Sequence, residues 1–348
     1  MKKVLLFILC SLLIITSIGC SNNAGTENPN NQMGIDNSQN PFQESDENTI
    51  IMGGISHGPS APNVDENEKL LPLIYSGEEI RYDYYVNASG QAKNVGFLMF
   101  VNGQPQPYKI NNANSAYEFV HIFDLTEDNT DLPFTFIFTP VTGKQGDTLN
   151  VIISSIYNPS FKPDMNETSS YGGYHALLPA SYSLFLETDV PDNAPQYDKI
   201  HGEVNLSNEL VTNQLLETLS NSGMRDIDMN TFNNEIFSLV YYDGEMKTDN
   251  LQVSEEGILQ VKYMICGHAG LEYETTFYLN HQPMASSNGI SHASIIEKGS
   301  VSVITFDIEL DKLEDYSTFY AVSVPKNAAT FPDGIFEATK TQSILLFR

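Results

Sequence analysis

Basic residues are scarce in this chain of 348 residues. Lysine and arginine together number 17 against 44 aspartate and glutamate residues, so the formal charge at pH 7 is −27. Proteins that bind nucleic acids present a basic surface that neutralises phosphate groups. The charge therefore argues against a nucleic-acid partner. The length and the hydrophobic content of 41% are sufficient for two domains that each have a core.

Cysteine is rare and tryptophan is missing. The chain has three cysteines, at positions 10, 20 and 266, and no tryptophan. Three cysteines are too few for a disulfide scaffold, so we expect the domains to be held together by core burial. The lack of tryptophan weakens the case for a carbohydrate-binding platform, although the 18 tyrosines can stack on sugars as well.

The N-terminus has the features of an export signal. Two lysines precede an apolar run from Val4 to Ile15, which is too short for a comfortable transmembrane helix. The next residues, Ser17-Ile18-Gly19-Cys20, resemble the lipobox of bacterial lipoproteins, in which the chain is cleaved before the cysteine and the thiol receives a diacylglyceryl group. The resemblance implies that residues 1–19 are a signal peptide and that Cys20 is lipidated. It also implies an exported protein that is anchored to the cell membrane and faces outside the cytoplasm.

An acidic, Asn-rich stretch follows the signal. From Ser21 to about Asn48 the chain has no basic residue and few apolar ones, and such a segment cannot bury enough surface to offset the entropy of ordering it. We therefore predict a disordered tether over residues 20–65.

Alternating apolar and polar residues predict β-structure beyond Lys69. Asn102-Gly103 between two β-rich runs is a strong signal for a hairpin. The runs that predict strands are 80–86, 94–101, 117–125, 133–140, 149–156 and 181–187. Short strands separated by turn residues over about 120 positions are typical of an immunoglobulin-like antiparallel β-sandwich. We predict the first such sandwich over residues 66–195.

The sequence contains an internal repeat. Residues 80–105 align without gaps with residues 258–283 at an offset of 178, with the identities Ile80/Ile258, Asn102/Asn280, Gln104/Gln282 and Pro105/Pro283. Further matches are Phe123-Asp124 with Phe306-Asp307, 149–156 with 317–324, and 183–186 with 343–346. We predict a second sandwich within residues 196–348, and hence an all-β fold of two tandem modules.

One amphipathic helix is expected between the modules. Apolar residues recur at helical spacing from Leu206 to Leu219, with Ser207 as a candidate cap and Gly223 as a stop. We expect this helix to pack on the second module or between the two, in a structural role.

Three motifs suggest catalytic or metal chemistry and are each better explained otherwise. Gly54-Ile-Ser56-His-Gly58 matches the nucleophile elbow of α/β hydrolases, but Pro59 and Pro62 oppose the helix that the elbow needs. Cys266, His268, His281 and His292 offer zinc ligands, yet a hairpin of 258–266 with 272–280 would place His268 and His281 at opposite ends.

Asp226, Asp228 and Asn230 have calcium-loop spacing but lack the later glycine and glutamate, so a loop in which Asn230 caps a helical turn is favoured. The acidic run 127–131 offers weak cation binding at most, and we assign no cofactor and no specific metal site.

The segment from Asn158 to Pro179 is the candidate for recognition, because the second module lacks it. It contains Tyr171, Tyr174 and His175 among glycines and serines, a composition that gives adaptable contact surface. The alternative is a solvated hairpin whose aromatic side chains fold back onto the sandwich.

These observations favour a non-catalytic function. We expect a lipid-anchored cell-surface protein that presents two β-sandwich modules for binding or adhesion, with an unknown protein or glycan as ligand. The alternative is an accessory or solute-capturing lipoprotein of an envelope transport or secretion complex, which a deep cleft between the modules would favour. An enzyme is disfavoured, because no nucleophile or acid–base pair stands out.

The lipid anchor gives the first testable prediction. Cys20→Ala should move the protein from the membrane fraction to the soluble fraction or the medium, because two acyl chains supply about 0.8 kcal/mol of membrane affinity per buried methylene. Fractionation followed by immunoblotting measures the distribution. Retention of the variant on the membrane would contradict lipidation at Cys20.

Overall fold

The computed structural model describes residues 53–92, 94–161, 175–191, 204–248, 250–286, 289–331 and 337–348. All of these residues belong to the compact unit that spans residues 40–348. Within the described ranges, none of the helices has the length and apolar character needed to cross a membrane.

The first module is a β-sandwich of two sheets. Its described strands are β1 (Gly54–Pro59), β2 (Leu73–Tyr75), β3 (Ile80–Ser89), β4 (Asn94–Val101), β5 (Gln104–Pro105), β6 (Lys109–Ile110), β7 (His121–Asp124), β8 (Leu132–Phe138), β9 (Thr148–Tyr157) and β10 (Leu177–Leu186). One sheet has the order β1-β3-β8-β6 and the other β2-β10-β9-β4-β5, with β7 also on β4. Apart from the parallel pair β2–β10, the pairings are antiparallel. This is the strand arrangement of the immunoglobulin sandwich.

The second module repeats this arrangement except at one edge. Its strands are β11 (Asn205–Leu210), β12 (Ile236–Tyr242), β13 (Glu245–Met246), β14 (Asn250–Gln252), β15 (Ile258–Gly267), β16 (Glu272–Leu279), β17 (Gln282–Pro283), β18 (His292–Ile295), β19 (Ser300–Glu309), β20 (Tyr316–Pro325), β21 (Thr339–Lys340) and β22 (Ile344–Phe347). The orders are β11-β19-β15-β12-β13 and β14-β22-β20-β16-β17, with β18 on β16 and β21 on β20. At the edge that differs, β11, which precedes the helices, takes the place that β6 has in the first module. The predicted all-β fold of two sandwich modules is therefore confirmed.

The strand bounds of the two modules coincide at the predicted offset. β3, β4 and β5 begin and end 178 positions before β15, β16 and β17, and β9 precedes β20 by 168 positions at both ends. The predicted match of Phe123 with Phe306 is wrong, because Phe123 lies in β7 on β4, whereas Phe306 lies in β19, the counterpart of β8. The expected hairpin of 258–266 with 272–280 is also wrong, since β15 and β16 belong to different sheets.

The first module starts earlier than the sequence suggested. β1 lies inside the range 20–65 that was predicted as tether, and it pairs with β3 along its full length. Ile55 packs against the core of the first sandwich and His57 hydrogen-bonds Tyr84 in it. Two inward side chains in six residues are too few to show a clear period in the sequence.

The predicted helix is present but begins later. Residues 205–210 form the exposed edge strand β11, and helix α1 (Asn213–Gly223) starts after Thr212, whose hydroxyl accepts a hydrogen bond from the Leu215 amide. The four-residue spacing of Leu206 and Leu210 fits both structures. Residues four positions apart lie on one face of a helix, and they also lie on one face of a strand. As expected, α1 packs on the second module. Leu215 and Leu219 cover Met264 and Cys266 there.

A second helix follows at once. Helix α2 (Met229–Asn234) is capped by Asp228, whose carboxylate accepts a hydrogen bond from the Thr231 amide at 2.7 Å. The expected cap, Asn230, lies inside this helix instead. Phe232 is fully buried against the same face of the second module.

The two sandwiches share a third hydrophobic core, which we call the joint. It lies between the outward faces of β4 and β9 in the first module and of β16 and β20 in the second. Its buried residues are Leu98, Phe100, Val120, Ile152 and Ile156 from the first module and Tyr278, Tyr320, Val322, Val324 and Ala338 from the second. The alternate residues of β4, such as Phe97 and Met99, face the core of their own sandwich. The unbroken apolar run of this strand is thus explained by burial on both faces.

Equivalent turns of the two modules reach across the joint. Gly103, in the β4–β5 turn, has a φ of 83°, and a Cβ atom there would stand 2.7 Å from the Cβ of Glu274. His281 occupies the same turn position in the second module, with a φ of 63°, and its Nε2 lies 2.9 Å from the carbonyl oxygen of Pro159. Each module therefore inserts a hairpin tip against the other.

The contact at Gly103 gives a prediction with a matched control. Gly103→Ala and Gly244→Ala place a methyl group at turn positions with φ of 83° and 82°, but a Cβ atom at Gly244 would meet no atom within 4 Å beyond its chain neighbours. Both should lose about 1 kcal/mol of unfolding free energy from left-handed backbone strain, and Gly103→Ala should lose at least a further ~1 kcal/mol from overpacking against Glu274. Urea denaturation measures both. Equal losses would show that the joint does not constrain this turn.

Candidate functional site

An open groove lies at one edge of the first module, where the chain passes from one sheet to the other. β1 ends at Pro59 and β2 begins at Leu73, so the connecting residues cross the gap between the sheets. The groove has a volume of about 320 Å³. Its lining includes the aliphatic residues Leu70, Leu71 and Ile74, the aromatic residues Tyr82 and Tyr182, and the polar residues Asn63, Arg81, Asp83 and Ser183.

The aliphatic side of the groove is unusually exposed. Leu70, Leu71 and Ile74 have exposed fractions of 42%, 45% and 48%. Together with the two tyrosines and the polar residues they line one concave surface of mixed polar and apolar character. Contiguous exposed apolar surface next to polar groups is typical of a ligand-binding site.

A chain of hydrogen bonds fixes the aromatic side of the groove. The Tyr182 and Tyr84 hydroxyls are 2.9 Å apart, and Tyr84 Oη is 2.8 Å from Nδ1 of His57. Nε2 of His57 lies 2.9 Å from the carbonyl oxygen of Leu178. Because a carbonyl only accepts, Nε2 of His57 carries the proton, Tyr84 donates to Nδ1, and Tyr182 donates to Tyr84.

This arrangement holds the rings in place and keeps them uncharged. The Tyr82 and Tyr182 rings meet edge to face, with centroids 5.4 Å apart. Burial raises the pKa of both tyrosines and lowers the pKa of His57. A preorganised neutral aromatic pair beside aliphatic side chains can bind a ligand.

The residues of the nucleophile-elbow motif do not form an elbow. Residues 54–58 lie in β1, in regular antiparallel pairing with β3, and Ser56 is exposed on that strand. A nucleophile elbow needs a sharp turn from a strand into a helix.

The four zinc candidates are distributed over separate environments. Cys266 is buried beneath the helices, where desolvation raises its pKa to about 12. His268 lies in the turn after β15, His281 is in the joint, and His292 lies against Phe277 in the second core. Over the described ranges of the chain, no three His, Cys, Asp or Glu side chains are placed to share a metal ion.

The calcium candidates have structural partners. Asp228 caps α2, and Asp131 of the acidic run accepts a hydrogen bond from Asn87 at 2.8 Å. Asp226 lines a shallow depression beside α1. These carboxylates do not converge on one point.

The predicted recognition loop and lipidation site are only partly described. Cys20, Tyr171 and Tyr174 lie outside the described residues. His175 is described, and its side chain has no exposed surface, while its expected contact with a ligand stays a prediction. Its Nδ1 lies 2.9 Å from Oγ of Ser343 in the second module, so this end of the insertion belongs to the joint.

The groove residues were not singled out from the sequence. Tyr82 was assigned to a strand, and Leu70 to Ile74 fall where the tether gives way to the first module. One signal was available, since Leu70-Leu71-Pro72-Leu73-Ile74 is an apolar run interrupted by proline. A proline confines such a run to a sheet edge.

This chain has only low similarity to known proteins. No family model matches the chain, and no curated protein matches it. Among solved structures, it is similar to BspA_C_mut (9% identity, TM-score 0.22, 84% of this chain and 98% of that chain). It is also similar to the chaperone-tip adhesion subunit pre-assembly complex CsuC-CsuE of Acinetobacter baumannii (10%, 0.18, 84% and 98%). A third match is the C-terminal domain of the antigen I/II-family protein AspA of Streptococcus pyogenes (6%, 0.21, 84% and 99%). With TM-scores near 0.2, the description of the sandwiches rests on their strand order.

The hydrogen-bond chain gives a stability prediction. Tyr84→Phe should lower the unfolding free energy by about 1–3 kcal/mol, because the buried Nδ1 of His57 loses its donor. The control is Tyr85→Phe, one residue along β3, which removes the same atom from a side chain that is only partly buried. Urea denaturation of both variants measures the difference. A loss for Tyr84→Phe no larger than for Tyr85→Phe would contradict the assigned chain.

Proposed function

We propose that this is an exported, lipid-anchored surface protein that binds a protein or glycan ligand through the groove of its first β-sandwich. The single observation that carries the proposal is the groove itself, an open concave surface of exposed aliphatic residues beside a fixed tyrosine pair. The lipobox-like sequence ending at Cys20 supports the anchor.

The chemistry of the groove suits recognition. Tyr82 and Tyr182 are held by ring contact and hydrogen bonding, so a ligand that binds them pays little entropy for ordering these side chains. Arg81 and Asp83 are exposed on the same strand and supply polar groups that orient a ligand.

Solute capture between the modules is less well supported. That function needs a cleft between the two lobes, and the facing sheets here are filled by apolar side chains such as Phe100 and Tyr320. We therefore place binding on the edge of one module.

The test compares groove variants of the full chain displayed on cells. Leu71→Asp with Ile74→Asp puts two charges on the groove, and Ile258→Asp with Ile295→Asp does the same at two exposed sites of the second module, which have exposed fractions of 60% and 61%. Adhesion is measured to an array of glycans and to an array of peptides. We expect the groove variant to lose at least tenfold in binding affinity, which corresponds to about 1.4 kcal/mol. The control should retain binding.

The two arrays separate the ligand classes. Binding to glycans alone or to peptides alone that is lost in the groove variant assigns the class. Equal binding by the groove variant and the parent, or no binding to either array, would contradict the proposal.

A further inference from the structure

The joint contains a polar cluster within its apolar surroundings. His175 comes from the first module, between β9 and β10, and His281 from the β16–β17 turn of the second. Tyr320 on β20, Lys340 on β21 and Ser343 before β22 complete the cluster. The two histidine rings lie 5.5 Å apart between centroids.

The hydrogen bonds of Lys340 determine the proton position on His175. The Lys340 ammonium lies 2.8 Å from Oγ of Ser343 and 3.0 Å from the Thr341 carbonyl oxygen. An ammonium group only donates, so Ser343 accepts from it and is free to donate its own proton to Nδ1 of His175, 2.9 Å away. His175 thus accepts at Nδ1, as a neutral imidazole does.

His281 is held in its neutral form in the same way. Its Nε2 is 2.9 Å from the carbonyl oxygen of Pro159 in the first module, which only accepts. Nε2 therefore carries the proton, and Nδ1 accepts from the Tyr320 hydroxyl at 3.1 Å. The neutral tautomer of His281 ties the modules together directly.

Protonation would place cations together in this partly buried cluster. The Lys340 ammonium lies 4.4 Å from the centre of the Tyr320 ring. A proton on Nδ1 of His281 would oppose the donor of Tyr320, and a proton on Nδ1 of His175 would oppose that of Ser343. Either would also add a positive charge beside Lys340, where low dielectric strengthens repulsion.

We propose that the joint is a pH-sensitive contact, which is closed while His175 and His281 are neutral and opens on acidification as they become cations beside Lys340. The inference is independent of the groove, since it concerns the contact between modules and not a ligand.

The titration of the cluster supports this direction. Burial lowers the pKa of His281 to about 4, with Lys340 adding to the effect and the Pro159 carbonyl opposing it. Burial, Lys340 and His281 together hold the pKa of His175 well below its usual value, against the backbone groups of Asn158 and Phe161. Burial also lowers the pKa of Lys340 to about 7.

The sign of the pH dependence follows from these directions. An opened joint returns the histidines to water and to a pKa near 6.5, so the open state binds more protons below that pH and is favoured there. For His281 alone, the opening equilibrium should rise about 30-fold between pH 7.5 and pH 5.0. His175 adds to this factor.

The test is hydrogen exchange of the full chain at pH 7.5 and pH 5.0, expressed as protection relative to the intrinsic rate at each pH. We expect protection in β9 and β20, which form the joint, to fall at least tenfold at pH 5.0. Protection in β3 and β15, in the sheets away from the joint, should stay within threefold. Unchanged protection in β9 and β20, or an equal loss in all four strands, would overturn the proposal.

Variants identify the groups responsible. His175→Gln with His281→Gln removes both titrating imidazoles, so the fall in protection of β9 and β20 between the two pH values should shrink to the about fourfold effect that Lys340 alone contributes, because its pKa is about 7 in the closed joint. The control is His292→Gln, which removes a buried histidine of the second core whose pKa burial also lowers. This control should keep the pH dependence of the joint. A double variant that keeps the full dependence, or a control that loses it, would assign the effect elsewhere and overturn the proposal.

Discussion

Packing of β4 and β9 against β16 and β20 is the constraint on which the rest of the structure depends. These strands are buried on both faces. Leu98, Phe100 and Tyr320 lie in the core between the modules, so their burial stabilises the contact between the modules and not the fold of a single module. A separated module would expose a contiguous aromatic and aliphatic sheet face, which a soluble monomer rarely tolerates. The two sandwiches are therefore one unit in energetic terms, although each has its own core.

The repeated turn shows how two similar modules acquire different roles in one contact. At the same turn position the first module has Gly103, which allows close approach to Glu274, and the second has His281, which hydrogen-bonds Pro159. Lys326 pairs with Glu274 at 3.1 Å beside Gly103, so an ion pair lies at that tip. Lys340 and the imidazoles of His175 and His281 lie at the other end of the joint. The joint thus combines an apolar centre with two chemically distinct ends.

Local pattern in the sequence was enough to place the central strands β3, β4 and β9, but not the edge strands β1 and β11, and contacts between distant segments were not predictable from it. The offset of 178 located β3, β4 and β5 against their counterparts to the residue, because side-chain alternation and the Asn102 turn are local signals. The groove was missed because its lining comes from β2, β3, β10 and the crossing segment, which only the sandwich brings together. The contact of His175 with Ser343 was not predictable for the same reason, since the two residues are 168 positions apart.

Strand β10 connects the joint to the groove. Leu177, at its start, packs against the joint, and the carbonyl of the next residue, Leu178, accepts the hydrogen bond from His57. Four residues further along, roughly 13 Å at about 3.3 Å per residue, Tyr182 lines the groove and donates to Tyr84. A displacement of β10 at the joint would therefore act on the hydrogen-bond chain that fixes the Tyr182 ring. One continuous strand therefore carries contacts of the joint at its start and of the groove further along.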